Sequence, residues 1–182
     1  GAQFNLNYQY LRPQLYSEYD VMDQDAIIAS ALDILSDEST LKNDVGEVLQ
    51  IRSANEDVQK ILYNLFYDVL NIEFNLWAWI RQMCKYGDFF LKLEIAEKYG
   101  VYNVIPYTAF HIERQEGFNP ENPSEIRFRY SPDGLVNPSS GMYSVTGNNS
   151  QNSGMFFDNY EMAHFRLIAD TNYLPYGRSY IE

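Results

Sequence analysis

The chain has 182 residues, a formal net charge of −12, 46% hydrophobic and 16% aromatic residues, and one cysteine. That length suits a single domain, and the acidity argues against a surface that grips the phosphates of DNA or RNA, which takes a basic stripe. One thiol excludes an intramolecular disulfide and a multi-thiolate zinc site and points to a reducing compartment; no stretch has the apolar length of a membrane span or the pattern of a signal peptide.

Residues 1–12, rich in Asn, Gln and Tyr, carry no clear period and read as a connector or a strand that pairs elsewhere. Pro13 suits the first turn of a helix running through Tyr16 and Tyr19. Asp23 or Asp25 then caps a second helix, about 25–37. Its apolar residues form two adjoining rows, Ile27, Ala31, Ile34 and Ile28, Leu32, Leu35, and a face that wide predicts burial. Lys42 to Gly46 reads as a turn, and alternation over Glu47 to Ser53 predicts a short strand. Asn55 is a good N-cap for a helix over 56–71, with Glu56 and Asp57 in the first turn, where the helix dipole favours acids. A further helix over 74–86 turns Leu76, Ile80, Met83 and Cys84 inward and stops on Gly87 as its C′ residue.

Past Gly87 the helical period gives way to alternation. Phe89, Leu91, Leu93 and Ile95 alternate with Phe90, Lys92 and Glu94; Glu97 to Gly100 is turn-like; Val101 to Tyr107 returns and completes a hairpin. Residues 110–114 read as a third strand, Gly117 to Ser124 as a loop, and Ile126, Phe128 and Tyr130 as the face of a fourth. Residues 131–154, dense in Ser, Asn and Gly, read as a mobile insertion with room for a short strand at Met142–Val145. A last strand covers 160–168. Helices first (about 13–87) and strands after (about 88–170) predict an α+β domain, its helices packed with a mostly antiparallel sheet. Ser179-Tyr180-Ile181-Glu182 matches a capping box, with turn residues Pro175 and Gly177 before it. A helix therefore starts at about 179–182, where the chain stops, and Gly1 stands where an initiator Met would. Both features predict a piece of a longer protein.

Residues of catalytic type are sparse. His111 and Glu113 share a predicted strand face, half of a metal site with no obvious third ligand. A solvated sheet face is the simpler reading, and the same holds for His164 and Arg166 on the last strand. Cys84 has Ile80 and Met83 at helical spacing, which predicts an inert buried thiol. Glu18, Asp20, Asp23 and Asp25 are the acids a Mg²⁺-dependent nuclease would need, but they surround two helix starts, where caps and dipoles account for them. No G-x-S-x-G, P-loop, G-x-G-x-x-G or H-E-x-x-H motif occurs. Trp77 and Trp79 are two apart and cannot share a helical face, so one is expected in the core and the other at an interface. No catalytic, cofactor-binding or metal-binding set emerges from the residues. A structural role is favoured over an enzyme; the alternatives are a metal-dependent hydrolase using His111 and Glu113, or a binding module presenting Trp77 or Trp79.

His164-Phe165-Arg166-Leu167-Ile168-Ala169-Asp170-Thr171-Asn172-Tyr173-Leu174-Pro175-Tyr176-Gly177-Arg178-Ser179 closely resembles a signature of the portal vertex proteins of large contractile-tailed, T-even-like bacteriophages. There the segment leads from the wing region into a long stem helix. Lys85-Tyr86-Gly87-Asp88-Phe89-Phe90 is similar to the family's passage from helix to strand, and Tyr19 to Asp25 with Ala31 to Leu35 is similar to its helix pair. The likeness spans most of 12–131 and 160–182. It implies a wing-like α+β fold, no enzymatic activity and no cofactor. It implies a homo-oligomeric ring, usually a dodecamer, at the capsid vertex of the virion, made in the host cytoplasm. DNA is packaged and ejected through such a ring; capsid, scaffold, terminase and tail-neck proteins are its partners, and no membrane is involved. Pro175, Tyr176, Gly177, Arg178 and Ser179 would form the wing-to-stem junction.

Overall fold

The computed structural model describes residues 2–132, 134, 155–167 and 175–182, with side chains from residue 12 onward. Helices α1 (Ala2–Met22), α2 (Ala26–Ser39), α3 (Glu56–Tyr63) and α4 (Ile72–Tyr86) precede strands β1 (Asp88–Ala96), β2 (Gly100–Tyr107), β3 (Ile112–Glu116), β4 (Ile126–Tyr130), β5 (Met155–Asp158) and β6 (Met162–Arg166). The fold is α+β. No helix among the described residues is long and apolar enough to cross a membrane.

Several local signals act as the residues predict. Asp25 caps α2, its carboxylate accepting from the Ile27 and Ile28 amides at 2.8 and 3.3 Å. Asn55 caps α3 in the same way through the Asp57 and Val58 amides. Gly87 ends α4 at φ 79°, its N–H bonded to the Met83 carbonyl at 2.7 Å. A left-handed φ there strains any residue with a Cβ.

Other expectations are overturned. The first dozen residues are neither connector nor strand: α1 begins at Ala2, and Pro13 lies inside it. A mid-helix proline costs the ladder a bond, so this helix leans on tertiary packing, with Arg12, Pro13, Tyr16 and Tyr19 all buried. Only one row of α2 packs: Leu32 and Ser36 are buried, while Ile27 is 81% exposed and Ile34 is exposed too. Residues 47–53 form no strand, because Glu73 in the first turn of α4 takes the Val48 and Leu49 amides at 3.0 and 3.1 Å. The helix expected over 56–71 is interrupted. It passes from α3 into a π-helical turn, Asn64–Val69, and breaks at Asn71, a left-handed residue at φ 48°.

The strands make two antiparallel sheets, not one, in the orders β2-β1-β6 and β3-β4-β5. The hairpin β1–β2 forms as expected, with a bulge between Glu94 and Ile95. β3 starts two residues later than the alternation suggested. The last predicted strand divides into the 3-10 turn Asn159–Glu161 and β6, and β5 before it was not anticipated. The strand expected at Met142–Val145 lies outside the described residues, as does most of the 131–154 insertion.

Alternation along β1 gives each face a different neighbour. Phe90 meets Phe128 of the second sheet edge-on, with ring centres 6.1 Å apart, in a core that also holds Ile112, Phe157 and Met162. Phe89 turns the other way and meets Trp79 of α4. Between α4 with the π-helical turn and the first sheet lies an apolar groove of about 410 Å³, walled by Trp79, Met83, Leu91, Val104, Ala163 and Phe165 among others.

Candidate functional site

The feature that sets this domain apart is a cradle built where α4 turns into β1. The last turn of a helix leaves carbonyls without intrahelical donors. Here the C-terminal segment supplies them. The Cys84 carbonyl accepts from the Tyr180 amide at 3.0 Å and the Lys85 carbonyl from the Ser179 hydroxyl at 2.6 Å. Gly87 accepts from the Leu167 amide, and the Leu167 carbonyl accepts from the Arg178 amide, both at 2.9 Å. The Pro175 carbonyl accepts from Arg166 at 2.7 Å. Pro175 to Ser179, predicted as a junction, is therefore a seat on the Lys85-Tyr86-Gly87-Asp88 corner. Residues 180 and 181 are turn; Ser179 Oγ accepts from the Ile181 amide at 3.0 Å, and Glu182 accepts from the Tyr19 hydroxyl at 3.1 Å.

Asp88 is the centre of the cradle. Its side chain is 1% exposed. Oδ1 accepts from the Gly177 amide at 2.9 Å and lies 2.7 Å from His164 Nε2; Oδ2 accepts from the Tyr16 hydroxyl at 3.2 Å. The Arg12 guanidinium stands 3.8 Å from Oδ2, donates to Tyr16 and stacks on the Tyr176 ring. Burial works against Arg12's charge, but Tyr16, Tyr176 and Asp88 together hold its pKa above the ordinary value. Burial pushes the Tyr16 and Tyr176 hydroxyls up, so both remain protonated donors. Tyr176 Oη accepts from the Arg114 amide at 3.0 Å and donates to its carbonyl at 3.2 Å, which pins the second sheet to the same point. An unpaired buried carboxylate costs several kcal/mol, so this fourfold satisfaction is what lets Asp88 sit there.

The cradle unites α1, α4, both sheets and the C-terminal segment. Chemically it resembles an Asp–His dyad, but the His164 ring is walled by Phe90, Phe128 and Tyr176 and presents no face to a substrate in this conformation. It acts as a fastener. Reading His164 as an exposed polar residue was wrong: its side chain is 3% exposed, because Asp88 and the aromatic wall enclose it. Arg12, Tyr16 and Asp88 were not candidate site residues from sequence, and His164 was weighed only beside Arg166. One usable signal was Asp88 itself, a charge directly ahead of the apolar run Phe89-Phe90-Leu91.

The remaining candidates are dispersed. His111 falls in the turn before β3, not on a strand face with Glu113; its Nδ1 lies 2.9 Å from the Ser131 carbonyl oxygen, while Glu113 pairs with Arg129 at 2.8 Å. Among the described residues no three His, Cys, Asp or Glu side chains group so as to hold a metal ion. Asp20 and Asp23 pair with Lys85, and Asp23 also with Arg81. Cys84 is buried, and that burial raises its thiol pKa. Trp77 is exposed, its indole donating to Asp37 of α2 at 2.7 Å, whereas Trp79 lines the apolar groove. Neither a protein-family model nor a curated protein matches this chain.

Proposed function

We propose that this chain is the wing region of a phage portal vertex protein: a non-enzymatic subunit of a homo-oligomeric ring in the virion, through which DNA is packaged and ejected and to which the tail attaches. The observation that supports this reading is the meeting of its two motif stretches. Lys85 to Asp88 and Pro175 to Ser179 carry the resemblance, lie far apart in the chain, and interlock at the cradle, where Asp88 accepts from the Gly177 amide and the Lys85 carbonyl accepts from the Ser179 hydroxyl. A joint between a wing and a stem has to carry load between two bodies, and a buried corner on which five parts of the chain converge suits that task. The net charge of −12 suits a region that does not hold DNA.

Negative-stain imaging of the gene product that carries this chain tests the reading. Closed rings with a central channel are expected. Compact monomers or dimers across a wide concentration range would overturn it.

A further inference from the structure

Among the described residues, His164 Nδ1 is the buried side-chain atom left without a hydrogen-bond partner. The other ring nitrogen faces Asp88 Oδ1 at 2.7 Å. A carboxylate only accepts, so Nε2 carries the proton and Nδ1 is a bare lone pair. Phe90 stacks on the ring at 4.3 Å and Phe128 meets it edge-on at 6.0 Å. The charged and titratable groups around it are Asp88 of β1, Arg114 of β3, Arg166 of its own strand and Tyr176; Arg12 and Tyr16 of α1 reach it through Asp88. A proton added at Nδ1 would place a new N–H without an acceptor, and a further positive charge, inside this wall.

We propose that His164 is a proton-operated latch on the 175–182 segment: uptake of one solvent proton at Nδ1 breaks the Asp88 cradle and frees Tyr176 to Tyr180 from the α4–β1 corner, while the two sheets stay folded. The latch depends on contacts within this chain and not on the ring reading. Burial lowers the His164 pKa, Asp88 opposes that, and the net direction is downward. The latch is therefore fully closed above the ordinary histidine value of about 6.5 and opens as pH falls through the lower folded value.

Amide hydrogen exchange at about pH 7.5 and about pH 5, corrected for intrinsic rates, reads the latch directly. Protection at Gly177, Arg178 and Tyr180 should fall about tenfold per pH unit between about 6.5 and the folded pKa. The amides of Phe90 and Phe128 should hold theirs. His164→Gln keeps a donor for Asp88 but takes up no proton, so its profile should be flat. Protection in the native chain that ignores pH, a loss shared equally by both sheets, or a His164→Gln variant that responds like the native chain would each overturn the proposal. If that variant does not fold, the imidazole titration followed by NMR in the native chain decides. A midpoint below about 6.5 that coincides with amide release supports the latch, and one at or above it refutes it.

Discussion

A Cβ placed on Gly177 would stand 1.9 Å from the carbonyl oxygen of Gly87. Gly87 meets the same wall from the other side: at φ 79°, its own Cβ would lie 2.6 Å from the Arg178 carbonyl carbon. Backbone runs against backbone here, and neither side can yield as a flexible side chain would. Gly177→Ala should therefore lose about 3 kcal/mol, the upper range for overpacking. Gly87→Ala should lose at least as much, since about 1 kcal/mol of left-handed strain adds to the clash. Gly46 is the control: its φ is 85°, but nothing lies within 4 Å of its would-be Cβ. Gly46→Ala should lose only about 1 kcal/mol. Denaturant midpoints compare the three, and equal losses would mean that the close approach at the cradle carries no weight.

Asp88 and Arg12 are both nearly removed from water and 3.8 Å apart. Asp88→Asn keeps an acceptor for Gly177 but leaves the guanidinium without its counter-charge, at a cost of about 3 kcal/mol. Replacing Arg12 by Met as well removes the stranded charge. The double variant should be more stable than the sum of the single losses by about 1 kcal/mol or more. Strict additivity in urea melts would show that the two do not act as a pair.

Acid should act on the helical layer at a different pH from the cradle. Hydrogen bonds from Arg81 outweigh the burial of Asp23, and with help from Lys85 they bring its pKa down to about 2. Because the folded value lies below the ordinary value of about 3.9, the stabilisation is complete above that and is lost as pH falls towards about 2. Asp23→Asn should be less stable than the native chain near neutrality, and the gap should narrow below about pH 4. Thermal unfolding at a series of pH values measures it; a gap that stays constant down to about pH 2 would count against this assignment.

What the sequence revealed was short in range. The Asp25 and Asn55 caps, the Gly87 stop and the β1–β2 turn each depend on neighbours within a few positions, and each appeared where expected. Periodicity marks which residues are apolar, not which partner covers them, so Ile27 and Ile34 were assigned to a core that packs only Leu32's side of α2. The alternation at 47–53 had strand character, yet Glu73 captured the amides that a ladder would have used. His164 looked like a surface residue because Asp88, which draws it inward, is remote along the chain and adjacent only through the pairing of β1 with β6. The Pro175 to Gly177 turn chemistry was legible, whereas the seat of this segment on α4 was not, since no local rule links a turn to a distant helix end.

The apolar groove carries the last prediction. Ala163 sits on β6 opposite Leu91 and forms part of its wall. A cavity of about 410 Å³ without polar lining holds apolar surface that gains little from its surroundings. Ala163→Leu adds three carbons into that space. At about 0.8 kcal/mol per buried methylene, less some packing strain, the gain should be about 1 kcal/mol, or a rise of about 3 °C in Tm. Trp79→Ala enlarges the same space and should cost about 3 kcal/mol. Calorimetry on the two variants separates an open groove from a closed one. If Ala163→Leu lowers Tm instead, the walls already touch in the folded protein, and the added side chain is driving α4 away from the sheet.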